Sequence, residues 1–112
     1  MYKDLFKIFE GNPNLYITTS LTGEVDERGK REAKTLTVHE PVTAQLWKDH
    51  LEGKQRIGIK PENEDMCKWG CIDVDPHSYK DYNQKKVVDI IRDYKLPLIP
   101  VRSKSGGLHL FL

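Results

Sequence analysis

The stretch Gly70-Cys71-Ile72-Asp73-Val74-Asp75-Pro76-His77 is an apolar run that ends in two alternating carboxylates. Successive side chains of a β-strand point to opposite faces, so Asp73 and Asp75 are expected on one face with roots about 6.6 Å apart, while Ile72 and Val74 pack behind. Two hard oxygen donors so spaced are half of a divalent-cation site. Magnesium typically takes one or two protein carboxylates and completes its shell with water and substrate phosphate. Taken alone, Asp-x-Asp is a weak signal, equally at home at the solvated end of a strand.

A second stretch, Arg102-Ser103-Lys104-Ser105-Gly106-Gly107-Leu108-His109-Leu110-Phe111-Leu112, sets a short polar loop directly before an alternating strand. Consecutive backbone amides in such a loop can form a concave anion site, for which phosphate is the natural guest. Leu108, Leu110 and Leu112 form the apolar face of the strand, which sends His109 and Phe111 to the other side. Read alone, this is also a plain glycine hairpin turn with a solvated histidine. The order of elements argues for more. Val87, Val88, Ile90, Ile91 and Tyr94 recur at helical spacing from Asn83 to Tyr94, and Lys95-Leu96-Pro97 stops the pattern before a strand at Leu98–Arg102. If the two strands of this strand-helix-strand unit run parallel in one sheet, both finish at one rim, where the carboxylates and the Ser-Gly-Gly turn converge. The predicted fold class is α+β and sandwich-like, a mixed sheet whose β-α-β unit joins the two motifs.

With hydrophobic-Asp-x-Asp and Ser-Gly-Gly-x-His set a helix apart, the chain resembles the archaeo-eukaryotic primase superfamily. Nearest are the primase-polymerase domains of phage replication proteins and mobile-element conflict systems. Pro41-Val42-Thr43, Trp47, His50-Leu51-Glu52-Gly53, Ile57-Gly58-Ile59-Lys60-Pro61 and Cys67-Lys68-Trp69 extend the likeness to roughly Val38–Leu112, more loosely before Asp65. The resemblance implies nucleotidyl transfer from nucleoside triphosphates on a DNA template and primer, with Mg2+ or Mn2+ held by Asp73 and Asp75. It implies that Ser105 and His109 contact the triphosphate, with Gly106 and Gly107 completing the binding turn and Lys104 and Arg102 as further phosphate contacts. Asp73, Asp75 and His109 form the implied catalytic set, and a helicase domain or protein is an implied partner. The family's third acidic motif has no counterpart within these residues, and the chain stops inside the alternation Leu-His-Leu-Phe-Leu. That predicts the amino-terminal part of a longer catalytic core, inactive or weak alone.

Two other function classes stay open. A metal-dependent nuclease or replication initiator would share the carboxylate pair, although the His-x-His of covalent initiators is absent. A non-catalytic domain could retain the pocket and bind nucleotide or nucleic acid. With 18 basic and 17 acidic side chains, the net charge of +1 excludes the whole-chain signature of a strong, non-specific DNA binder. No run suits a membrane span or a secretory signal, which points to the cytoplasm.

Length suits a single domain over residues 1–112. Residues 21–34, dense in charge, read as a mobile hairpin loop whose basic end has no aromatic partner for nucleic acid. Tyr2–Phe9 reads as a short helix, Leu15–Thr19 as a strand, Thr43–Leu51 as a helix capped by Thr43 and stopped by Gly53, and Ile57–Ile59 as a strand. Cys67 and Cys71, four apart in an extended segment and so about 13 Å apart, read as packing residues rather than a disulfide or a zinc half-site. His39, His50 and His77 read as surface or packing histidines. Tyr79, Lys80 and Tyr82 are candidates for nucleotide or template contact, outside the site set.

Overall fold

The computed structural model describes residues 1–112, which divide into two compact units, Met1–Lys68 and Trp69–Leu112.

In the first unit a short helix, α1 (Tyr2–Ile8), precedes strand β1 (Tyr16–Val25), strand β2 (Arg31–Val38), helix α2 (Ala44–Leu51) and strand β3 (Ile57–Gly58). The three strands pair antiparallel in the order β2-β1-β3. Helix α2 starts as predicted, with the Thr43 hydroxyl accepting from the Leu46 amide at 3.4 Å, and Gly53 beyond its end takes the left-handed φ of 74°. Trp47, 8% exposed, anchors this unit: the Phe9 ring stacks on it at 5.9 Å and the His50 ring meets it edge-on at 6.2 Å. His50 Nδ1 lies 3.1 Å from the Gln55 carbonyl, so the residue has the packing role expected of it.

Residues 21–34 correct the loop reading in part. They form a hairpin, but strand β1 runs on to Val25 and β2 begins at Arg31, so only the Asp26–Lys30 turn is loop. The Asp26 carboxylate closes that turn by accepting from the Arg28 and Lys30 amides at 2.9 and 2.8 Å. High charge and low apolar content predicted a mobile hairpin loop. Cross-strand backbone pairing needs no buried side chains: Leu21 pairs with Ala33 and Val25 with Arg31, continuing the ladder begun at Thr18, Thr19, Thr35 and Thr37. A tight hairpin, β4 (Glu62–Asn63) and β5 (Met66–Cys67), ends the unit; Glu64 and Asp65 both have positive φ, as a two-residue primed turn demands.

The second unit holds the motifs. Strand β6 (Cys71–Val74) leads through a single 3-10 turn (Pro76–Ser78) to helix α3 (Gln84–Asp93), strand β7 (Ile99–Arg102) and strand β8 (Leu108–Phe111). Helix α3 spans the predicted segment. Asn83 is its cap, accepting from the Lys86 amide at 3.1 Å. On its outer surface the Lys85 ammonium, and with it Arg92, holds the Asp89 carboxyl below the usual carboxylate range.

The sheet order is β6-β8-β7, with β8 antiparallel to both neighbours. Strands β6 and β7 therefore run in the same direction and finish at one rim, as predicted, but they are not neighbours: β8 lies between them and starts at that rim. The α+β class stands, with a β-α-β unit that is split. Leu108 (2% exposed) and Leu110 (6%) pack with Ile91 of α3, and Val74, Val87, Val88 and Leu98 close around them. Leu112, expected on the same face, lies past the end of β8 and is exposed. Full burial of each such side chain contributes about 1.5–3 kcal/mol, so three of them make a small core with little reserve.

Candidate active site

Alternation across the sheet decides which groups meet. Because Leu108, Leu110 and Val74 face α3, the residues between them face away. Asp73 pairs directly with His109 across β6 and β8, and Val101 pairs with His109 from β7. The Asp73 carboxylate reaches to 3.7 Å from His109 Nε2. Asp73 is the more open of the two, its side chain 72% exposed against 44% for the histidine. The Phe111 ring meets the His109 ring edge-on at 6.2 Å and fixes its tilt.

Asp75 falls one residue beyond the end of β6. Its backbone remains extended, with φ −87° and ψ 121°, which keeps its root on the side of Asp73. Its carboxylate has a structural duty that the sequence reading did not assign: Oδ1 accepts from the His77 amide at 2.9 Å and caps the 3-10 turn. Oδ2 has no such partner.

The loop between β7 and β8 closes on itself. The Ser103 amide donates to the Gly107 carbonyl at 2.9 Å, and the Gly106 amide to the Ser103 carbonyl at 3.2 Å. The Gly107 amide donates to the Ser103 hydroxyl at 3.0 Å, and that hydroxyl lies 3.2 Å from the Ser105 hydroxyl. The expected nest of consecutive amides is thus corrected: the two glycine amides turn inward, and those of Lys104 and Ser105 are the ones left without a protein acceptor. Ser103 was missed by sequence reasoning. Its signal is a hydroxyl four residues before a glycine in a turn, where side chains of this kind commonly bond to backbone.

Gly107 joins the two motifs. A Cβ built on it would lie 2.3 Å from the Val74 carbonyl oxygen and 3.0 Å from Pro76 Cδ, so the loop backbone rests against the end of the acid-bearing strand. Only glycine allows that approach. Tyr82, read from the sequence as a candidate for nucleotide or template contact, braces the same loop by donating from its hydroxyl to the Gly106 carbonyl at 3.4 Å. Ser105 and Lys104 are exposed on the loop. Arg102 is not on the face of Asp73 and His109: it pairs with Leu108, on the α3 side of the sheet.

Both cysteines are exposed, not packed as expected, because the extended segment imagined from Cys67 to Cys71 is interrupted between β5 and β6. Although Cys71 as a residue is exposed, desolvation of its sulfur pushes the thiol pKa up, the Asp73 carboxylate adds to the rise, and a hydrogen bond with the Leu110 backbone opposes it. A raised pKa means less thiolate at any pH below it. Removing the carboxylate charge with Asp73→Asn is therefore expected to speed alkylation of Cys71 at mildly alkaline pH. The gain should be small, because desolvation is the larger cause; timed mass spectrometry of the alkylated chain measures it, and an unchanged or slower rate would contradict this reading of the local field.

Two exposed carboxylates fit a hard cation that keeps much of its water, as magnesium and manganese do. No three His, Cys, Asp or Glu side chains gather closely enough to form a full metal cage.

An acid and a histidine thus pair on one sheet face of an α+β unit, with a serine-glycine turn at the adjoining rim. The family model described as the archaeo-eukaryotic primase domain of the TOTE conflict system matches residues 15–112, and the chain belongs to this family. The match runs through both compact units. Its members are in general primase-type nucleotidyltransferases, act with nucleotides and nucleic acid, and usually use divalent metals. Neither a curated protein nor a solved structure matches the chain. No helix is long and apolar enough to cross a membrane.

Proposed function

We propose that this domain performs primase-polymerase nucleotidyl transfer, joining nucleoside triphosphates along a DNA template. The observation that carries the reading is the contact at Gly107, which sets the Ser103–Gly107 loop against the strand of Asp73. Phosphoryl transfer needs alignment and charge compensation more than covalent help, and this arrangement supplies both. Asp73 and the free oxygen of Asp75 would hold Mg2+ or Mn2+, which when bound supplies charge stabilisation at the attacking and leaving oxygens. Ser105 donates its hydroxyl, and its amide with that of Lys104, to the triphosphate. His109 is oriented by Asp73 and tilted by Phe111, and donates from its ring to a phosphate oxygen. Lys104 adds a cation on the exposed loop, and Arg102 contributes only if its long side chain reaches round the rim. Both units are taken as parts of one catalytic domain, since the family match runs unbroken through them.

A second reading is a domain that binds nucleotide or nucleic acid without turning it over. The first step common to both readings is metal-dependent triphosphate binding. In an isotope-labelled chain given manganese and a non-hydrolysable nucleoside triphosphate, paramagnetic broadening is expected at the amides of Asp73, Asp75, Ser105 and His109. Broadening that spares Asp73 and His109, or that a short DNA duplex end induces as well as the triphosphate, would end the proposal in favour of a different or nuclease-type site.

A further inference from the structure

Helix α3 and the connection that leads into it line an open cleft of about 560 Å³, within the size range that holds small ligands. Its floor is apolar, from Val74, Val87 and Ile90; Tyr79 and Tyr82 form aromatic walls. Tyr79 is 60% exposed and stacks on no other ring, and Ile90 is 52% exposed, so a flat apolar surface lies open to water. Lys80 and Lys86 stand at the rim against one acid, Asp81. Neither lysine is paired with a carboxylate, whereas the neighbouring Lys85, on the outer surface of the helix, is bound to Asp89 at 2.7 Å. Flat apolar walls with unpaired cations at the mouth match the chemistry of a nucleobase flanked by phosphates, since every base has a face to stack and a charge to neutralise.

We infer that this cleft receives an unpaired base of a single-stranded nucleic acid, stacked on Tyr79, with Lys80 and Lys86 on the flanking phosphates. The inference rests on reading the domain as one that works along a nucleic-acid strand. Strand alternation selects the strand over the incoming nucleotide as the source of the base. Val74 opens into the cleft on the α3 side of the sheet, while Asp73 and His109 lie on the other side. A triphosphate held by those groups keeps its own base away from the cleft. A strand crossing the rim beside the Ser103–Gly107 loop can enter it, and Tyr82, which lines the cleft and donates to the Gly106 carbonyl, ties the two places together.

The test is fluorescence anisotropy of a short fluorescein-labelled oligodeoxythymidylate with the full chain, free of metal and triphosphate, beside a separate manganese–triphosphate titration. Tyr79→Ala is expected to weaken oligonucleotide binding about tenfold. Tyr79→Phe, which keeps the ring, retains the affinity, and Lys86→Glu weakens binding and flattens its dependence on salt. Triphosphate binding stays unchanged in all three. Tyr79 is exposed, so its loss leaves the fold intact, which circular dichroism verifies. Wild-type oligonucleotide affinity in Tyr79→Ala, or no measurable binding by the unaltered chain, overturns the inference. A loss confined to the triphosphate overturns it too, and assigns the cleft to the nucleotide's own base. Because the strand measurement needs neither metal nor turnover, its result stands apart from any failure of the manganese experiment at Asp73.

Discussion

Gly107→Ala is expected to destabilise the Trp69–Leu112 unit by about 1–3 kcal/mol or somewhat more, the range for forcing extra atoms into a packed site. The added methyl meets the Val74 carbonyl oxygen at 2.3 Å, and that oxygen belongs to backbone paired within the sheet, so it cannot swing aside as the tip of a long side chain would. Pro76 Cδ at 3.0 Å and the Ser103 hydroxyl at 3.2 Å block the neighbouring directions. In a domain of this size each kcal/mol moves the melting temperature by roughly 4–8 °C, so a drop on the order of 10 °C is expected by circular dichroism. Gly106 is the control. It adopts a φ of 87°, but nothing lies within 4 Å of where its Cβ would stand. Gly106→Ala therefore carries only the backbone penalty of about 1 kcal/mol and is expected to melt closer to wild type. If Gly107→Ala melts with wild type, the loop does not rest on the acid strand, and the convergence of the two motifs is lost with it.

That convergence was legible in part. The period of Val87, Val88, Ile90 and Ile91 and the cap at Asn83 identify α3 locally, because a helix bonds to itself and its signal lies in neighbouring residues. The alternation of Leu108 and Leu110 against His109 likewise reads true, since a strand's two faces follow from its geometry alone. Strand order is different. Nothing within the local pattern of β6, β7 or β8 says that β8 inserts between the other two, because pairing joins residues such as Asp73 and His109, 36 positions apart by their numbers. The inward turn of the Gly106 and Gly107 amides was equally hidden. A polar glycine loop can present its donors outward to an anion or satisfy them on its own Ser103, and composition does not choose between the two. Asp75 shows the same limit: as a letter it repeats Asp73, but the proline after it starts a 3-10 turn, and half of its carboxylate serves as the cap. The family likeness, seen from the two motifs, agrees with the match over residues 15–112.

Asp73→Ala should abolish most of the primer synthesis by the protein that carries this domain, with a loss on the order of 100-fold or more in kcat/KM, the scale of removing one preorganised electrostatic group. Asp73 is a cleaner probe than Asp75. Its side chain is 72% exposed and its nearest polar side-chain neighbour is the His109 ring at 3.7 Å, so truncation leaves the packing of Leu108, Leu110 and Ile91 untouched. Aspartate is also disfavoured within a strand, and alanine in its place is expected to fold and melt as wild type or slightly better. Truncating Asp75 would remove the cap on the His77 amide and mix a folding defect into the readout. Asp73→Asn completes the argument. It preserves shape and stays beside His109, but it lacks the negative charge that a divalent ion requires. The asparagine variant is therefore expected to lose activity as fully as alanine while keeping wild-type stability. Primer synthesis at the wild-type rate in either variant would remove Asp73 from the chemistry, and the shared face of β6 and β8 would then be an ordinary solvated edge of the sheet.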